Sequence, residues 1–208
     1  MTLGLLMVGA QLGLLWARRL SYATVFLASE GVLLSIMVVV FAGASFSGED
    51  LAVAGLTLAI KAGLIPWAVH QVNHQLPRAQ RMDRPLPFWA YIIAAFLVIM
   101  AGHVVAILSA AHMAPSRALL LEGLIVLQWA FLMMISRRHV LAQVIALVSA
   151  ENGVVVIAAA LTSSLPLFLE IATLFDIALA VWVLLWLSRQ LQMIYQTNDS
   201  AALQRLRG

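Results

Sequence analysis

Long apolar runs separated by short polar connections dominate the chain. Seven of them approach or exceed the roughly 20 residues a helix needs to cross a ~30 Å hydrocarbon layer: Thr2–Ala17, Leu20–Ala44, Leu51–Val72, Phe88–Ala111, Arg117–Ser136, His139–Thr162 and Leu165–Leu187. The first is short but does not read as a cleavable signal. No basic residue precedes it, no small-residue cleavage site follows, and Arg18 and Arg19 close it directly. The pattern predicts an all-α polytopic protein of about seven transmembrane helices.

Composition excludes the soluble alternatives. The 208 residues are 63% hydrophobic and 10% charged, with a mean hydropathy of +1.01. A soluble domain carries about 25% charged residues, and one this small could not hide the apolar excess. A soluble enzyme is excluded, and so is a disordered chain. The absence of cysteine removes disulfides, thiolate metal sites, iron–sulfur ligation and cysteine nucleophiles together. The net charge of +3 comes from scattered clusters and not from one basic stripe, so no nucleic-acid partner is expected.

The connections assign the sides. Arg18 and Arg19, then Arg78, Arg81 and Arg84, then Arg137 and Arg138, then Arg189, Arg205 and Arg207 fall at alternate span ends. The opposite connections hold Glu49 and Asp50, a lone Arg117, and the neutral stretch at 162–164. Ten of eleven arginines therefore share one side, which the positive-inside rule makes cytoplasmic. The N-terminus is expected outside and the C-terminus inside. The loop Asn73–Pro87 reads as a surface connector, and residues 190–208 as a polar cytoplasmic tail lying on the membrane surface or on a partner.

A short echo links two segments. Arg18-Arg19 leading to Ser29-Glu30-Gly31-Val32 is matched by Arg137-Arg138 leading to Ser149-Ala150-Glu151-Asn152-Gly153-Val154. It suggests a parallel three-helix repeat within one membrane domain. Residues 1–72 would be the first unit, 73–112 a loop with the odd fourth helix, and 113–189 the second unit.

The remaining charges carry the candidate chemistry. Glu30, Lys61, Glu151 and Asp176 each stand about ten to twelve residues inside their spans, hence roughly 15–18 Å from an end and near the bilayer centre. Unpaired, four such charges would cost about 10–14 kcal/mol. They are expected to be paired, neutralised or hydrated inside the bundle. Lys61 is the sole lysine beside eleven arginines, and unlike arginine it can release its proton when buried. These four residues are the candidate proton path, against a static reading in which a Lys61–Glu30 pair locks two helices together. His103, Glu122 and Glu170 lie nearer the outer face and are candidates for a secondary path. The opposing reading gives the two carboxylates to helix N-termini, where the macrodipole favours negative charge, and the histidine to packing.

Pro66 follows Lys61 by five residues, with Gly63 between them. A proline deprives a carbonyl one turn earlier of its donor, so a helix break or kink is expected beside the lysine. His70 and His74 have a spacing that suits a metal, but no acidic residue lies near them in sequence and no metal site is expected. No phosphate loop, hydrolytic triad or cofactor motif is present.

These residues together resemble a known group. The chain is similar over nearly its whole length to component E of hydrogenase-4 and formate-hydrogenlyase type membrane complexes, in the complex I superfamily. Its C-terminal half resembles the three-helix K-type subunit of bacterial NADH:quinone oxidoreductase, through Arg137-Arg138, Glu151, the acidic groups of the next helix and the ending Leu206-Arg207-Gly208. Lys61-Ala62-Gly63 with Pro66 resembles the Lys-Ala-Gly-x-x-Pro motif of antiporter-like subunits. The K-type pattern has one glutamate where this chain offers Glu170 and Asp176, and the antiporter motif has histidine where Ala68 stands.

The resemblance implies a membrane-arm subunit without cofactors of its own in a bacterial or archaeal cytoplasmic membrane. It would sit beside antiporter-like subunits and lipids and contribute to a central polar axis. Redox chemistry would fall to peripheral nickel–iron hydrogenase or related subunits. Two other expectations compete with this one: a non-pumping scaffold bridging antiporter-like modules, and a stand-alone secondary transporter with a substrate-sized polar cavity.

Overall fold

The computed structural model describes residues 2–42, 48–75, 86–110, 116–137, 139–161, 178 and 182. Among the described residues there is no strand, and the elements in chain order are α1 Thr2–Trp16, α2 Leu20–Ala42, α3 Gly48–Thr57, a π-helical segment Leu58–Leu64, α4 Ile65–Gln75, α5 Phe88–Ala110, α6 Arg117–Ser136 and α7 Val140–Leu161. Among the described residues, five helical stretches are long and apolar enough to cross a membrane, one of them running from Leu51 through the π segment to Gln71. α1 is apolar but shorter than these. Of the expected seventh span only residues 178 and 182 are described, and Glu170 and Asp176 lie outside the described residues.

The turn between Lys61 and Pro66 widens and does not break. Pro66 has no N–H to give the carbonyl one α-turn back, and its ring would crowd that carbonyl. A π turn spaces the donors differently, and the Ile65 N–H bonds to the Ile60 carbonyl, five residues back. The helix thus continues, with Lys61 projecting into the bundle and Gly63 and Trp67 facing outward.

Helix ends and close approaches set the packing. The buried Arg137 guanidinium donates to the Leu15 and Ala17 carbonyls at 2.8 and 2.9 Å, satisfying acceptors that α1 leaves open at its C-terminus. α6 and α7 run antiparallel and pack most extensively of any pair. A Cβ on Gly153 would stand 2.7 Å from the Leu127 backbone nitrogen, and one on Gly123 would stand 2.9 Å from that of Ile157. Small residues at such points let membrane helices approach closely. α5 turns Ala90, Ala94, Ala101 and Val105 inward and most of its bulky side chains outward.

The apolar interior is divided into two clusters. One holds Leu14, Leu27, Ile65, Val69, Val148 and neighbours. The other holds Met7, Leu34, Leu120, Val156 and neighbours. On α1, α2 and α7 a polar residue separates the two: Gln11, Glu30, and Ser149 with Asn152.

Candidate functional site

That polar layer sits at mid-height. Glu30, Lys61 and Glu151 are the central residues of the candidate spans Leu20–Val40, Leu51–Gln71 and Leu141–Leu161, about 15 Å from either end. The π segment carries Lys61 to the interior, where it is 2% exposed. Its ammonium donates to Glu151 Oε2 at 2.5 Å and to Asn152 Oδ1 at 3.0 Å. Asn152 Nδ2 in turn donates to Glu30 Oε2 at 3.2 Å. The acid on α2, the amine on the π segment and the acid on α7 therefore belong to one hydrogen-bonded row.

Gln11, entirely buried on α1, completes it. With its amide oriented to match its neighbours, Nε2 donates to Ser149 Oγ at 2.5 Å and to Glu30 Oε1 at 2.7 Å, while Oε1 accepts the Ala130 N–H at 3.1 Å. Gly31, next to Glu30, lets α2 approach the π segment: a Cβ there would lie 2.7 Å from the Lys61 carbonyl carbon and the Ala62 nitrogen. Short backbone separation and buried polar bonds thus support each other. Glu151 Oε1 is buried and has no hydrogen-bond partner among the described residues.

Lys61 forms its ion pair with Glu151, and it reaches Glu30 through Asn152, whereas the static alternative in the sequence reading paired Lys61 with Glu30. Asp176 and Glu170 fall outside the described residues. Glu122 is buried with its carboxylate against Gly4. Its neighbour Gly123 packs on Ile157, six residues beyond Glu151, which places it roughly 9 Å outward of the row. No hydrogen bond links it to the row among the described residues. His103 is exposed on α5.

His70 and His74 are exposed on α4 with their Nε2 atoms 2.9 Å apart. Among the described residues, no group of three or more metal-ligating side chains includes them.

Sequence reasoning missed Gln11, Ser149 and Asn152 as members of the site. An amide or hydroxyl in an apolar run is the available signal, since a polar side chain at mid-membrane must find a partner. Arg137, read as a cytoplasmic topology signal, also serves as the cap for α1. No family model, curated protein or solved structure matches the chain.

Proposed function

We propose that the chain is a membrane-arm subunit of a complex I-like, hydrogenase-type assembly that translocates protons, with Glu30, Lys61 and Glu151 as successive stations of a central path. The observation that carries this reading is the Lys61–Glu151 ion pair, joined through Asn152 to Glu30 at mid-height between two apolar clusters. Acids and an amine held in one low-dielectric row couple strongly, so a proton arriving at one alters its neighbours' hold on theirs. Glu151 Oε1, buried and without a partner among the described residues, gives the row an open acceptor. Asp176 of the proposed seventh span would extend it.

Arg137 bonds the end of α1, which puts Arg18, Arg19 and Arg137 at one end of the bundle. This supports a cytoplasmic assignment for that end, with the N-terminus outside, the C-terminus inside and the protein in a bacterial or archaeal cytoplasmic membrane. Antiporter-like subunits would adjoin it, and peripheral nickel–iron hydrogenase or related subunits would supply the electrons.

The test is Glu151→Gln or Lys61→Ala in the intact assembly. The expected outcome is redox turnover without proton translocation. Wild-type pumping in both variants, with assembly verified, would refute the reading.

A static reading draws on the same pair, which ties the π segment to α7. It expects Lys61→Met with Glu151→Gln to restore whatever function either change alone removes. The proton-path reading expects the double variant to stay uncoupled.

A further inference from the structure

The row contains two side-chain amides, and they are held in place differently. An amide presents an acceptor at one end and a donor at the other, so its orientation is set by what faces each end. Gln11 is set by a group that never titrates: its Oε1 takes the Ala130 backbone N–H, which points its Nε2 at Glu30 Oε1. Asn152 is set by one that can: its Oδ1 takes the Lys61 ammonium, which points its Nδ2 at Glu30 Oε2. Both oxygens of Glu30 therefore face donors. A proton on Oε1 would meet the Gln11 amide N–H, which the Ala130 backbone keeps turned that way. A proton on Oε2 requires Asn152 to turn over.

We infer that Asn152 is a two-position amide that ties the protonation of Glu30 to that of Lys61 in opposite senses. In the first position Lys61 is an ammonium, Asn152 Oδ1 accepts from it, and Asn152 Nδ2 donates to a Glu30 carboxylate. In the second, Lys61 has released one proton on its Glu151 side and is an amine with a lone pair. Asn152 Nδ2 donates to that lone pair, and Asn152 Oδ1 accepts from a proton newly bound to Glu30 Oε2. The amine's proton passes to the Glu151 carboxylate and another, from solvent, reaches Glu30, so the three groups together take up one proton and falling pH drives the change. The amide passes neither, because it has no proton to give up at ordinary pH. Every polar group is matched in both positions. An ammonium together with a proton on Glu30 Oε2 leaves two donors facing each other across a buried gap, whereas a neutral amine, with two N–H groups and a lone pair, lets Asn152 take either position.

The described titratable groups facing this gap are Glu30 from α2, Lys61 from the π segment and Glu151 from α7. From α1 comes only Gln11, and the Glu122 carboxylate of α6 lies against Gly4. The inference rests on the proton-handling reading of this row, and makes Asn152 its regulator.

Infrared difference spectroscopy of the full chain in lipid nanodiscs, with asparagine side chains labelled with ¹³C, tests it. The sequence holds three asparagines, so the band that remains in Asn73→Gln with Asn198→Gln is that of Asn152, and the Glu30 carboxylic band is the one lost in Glu30→Gln. In the wild type the Asn152 band is expected to shift at the same pH midpoint at which the Glu30 band appears. An Asn152 band that stays constant through that titration would overturn the inference, and this measurement needs no folded variant at residue 152.

A second measurement replaces Lys61→Met together with Glu151→Gln, which removes the charge pair. The proton affinity of Glu30 is expected to change about tenfold, the worth of one buried hydrogen bond, and to change severalfold less when Asn152→Leu is also present in both backgrounds. Equal changes with and without the amide would leave only bare Coulomb coupling and overturn the inference. Neither readout uses redox turnover. Intact pumping in Glu151→Gln with a co-titrating Asn152 band would sink the proposed function alone. Lost pumping with a silent band would sink the amide coupling alone.

Discussion

Helices α5 and α7 are both apolar enough to span a membrane, and α5 is the more apolar of the two, yet 11% of the α5 span is buried against 56% of the α7 span. The difference lies in a few residues. α7 places Ser149, Glu151, Asn152 and Gly153 in its middle turns, where each meets a partner on another helix. α5 has His103 turned outward and Gly102 with nothing near its Cβ position. Apolar content drives a helix into the bilayer but gives it little reason to prefer another helix over lipid tails. Close backbone approach and interhelical hydrogen bonds supply that preference. Hydropathy therefore says that a helix crosses, and the interruptions in it say where the helix sits.

The largest expected effect tests the close approach. Gly153→Leu would drive a side chain into the backbone of Leu127, 2.7 Å from the new Cβ, and backbone cannot give way as a rotamer can. The expected cost is about 3 kcal/mol or more, read as loss of monodisperse protein in mild detergent. Gly102→Leu on α5 should leave the elution profile and thermal midpoint unchanged. Equal tolerance at the two positions would erase the contrast between the helices.

The ion pair comes next. Lys61→Met or Glu151→Leu alone leaves a charge buried without its counterpart, at a cost of about 3–5 kcal/mol. The double change should recover most of that loss in thermal unfolding. His103→Leu, outward on α5, is expected to stay within about 0.5 kcal/mol of the parent. A double variant no more stable than the singles would mean that the pair is not the unit that matters.

Much of this was legible in the residues. The run lengths located α2, α5, α6 and α7 to within a few residues, and the depths of Glu30, Lys61 and Glu151 placed all three in one layer. Depth has one dimension, however, and pairing needs three. Nothing in the spacing of Glu30, Lys61 and Glu151 along the chain distinguishes Lys61–Glu30 from Lys61–Glu151, because the choice depends on the rotation of each helix about its axis. The π segment adds to that rotation at Lys61, and Pro66 signalled a disturbance without fixing its form. Asn152 and Gln11 carry no charge and so escaped a search made on charge. Arg137 is legible as a topology signal at a span end, but its capping bonds depend on where the end of α1 falls beside α6.

The smallest effect isolates what does hold α5. Trp129 on α6 is buried and donates its Nε1–H to the Ala94 carbonyl of α5 at 3.1 Å. That carbonyl already serves its own helix, so the indole bond is an addition and not a structural necessity for α5. Trp129→Phe removes the donor while keeping an aromatic ring in the contact, and should cost about 1 kcal/mol. Because α5 buries little else, the loss should be local. Hydrogen exchange at amides 88–110 is expected to rise, while amides 140–161, secured by the polar row and the glycine contacts, keep their protection. Exchange rising equally in both stretches would show that α5 and α7 open together, and that the shallow burial of α5 does not translate into independence.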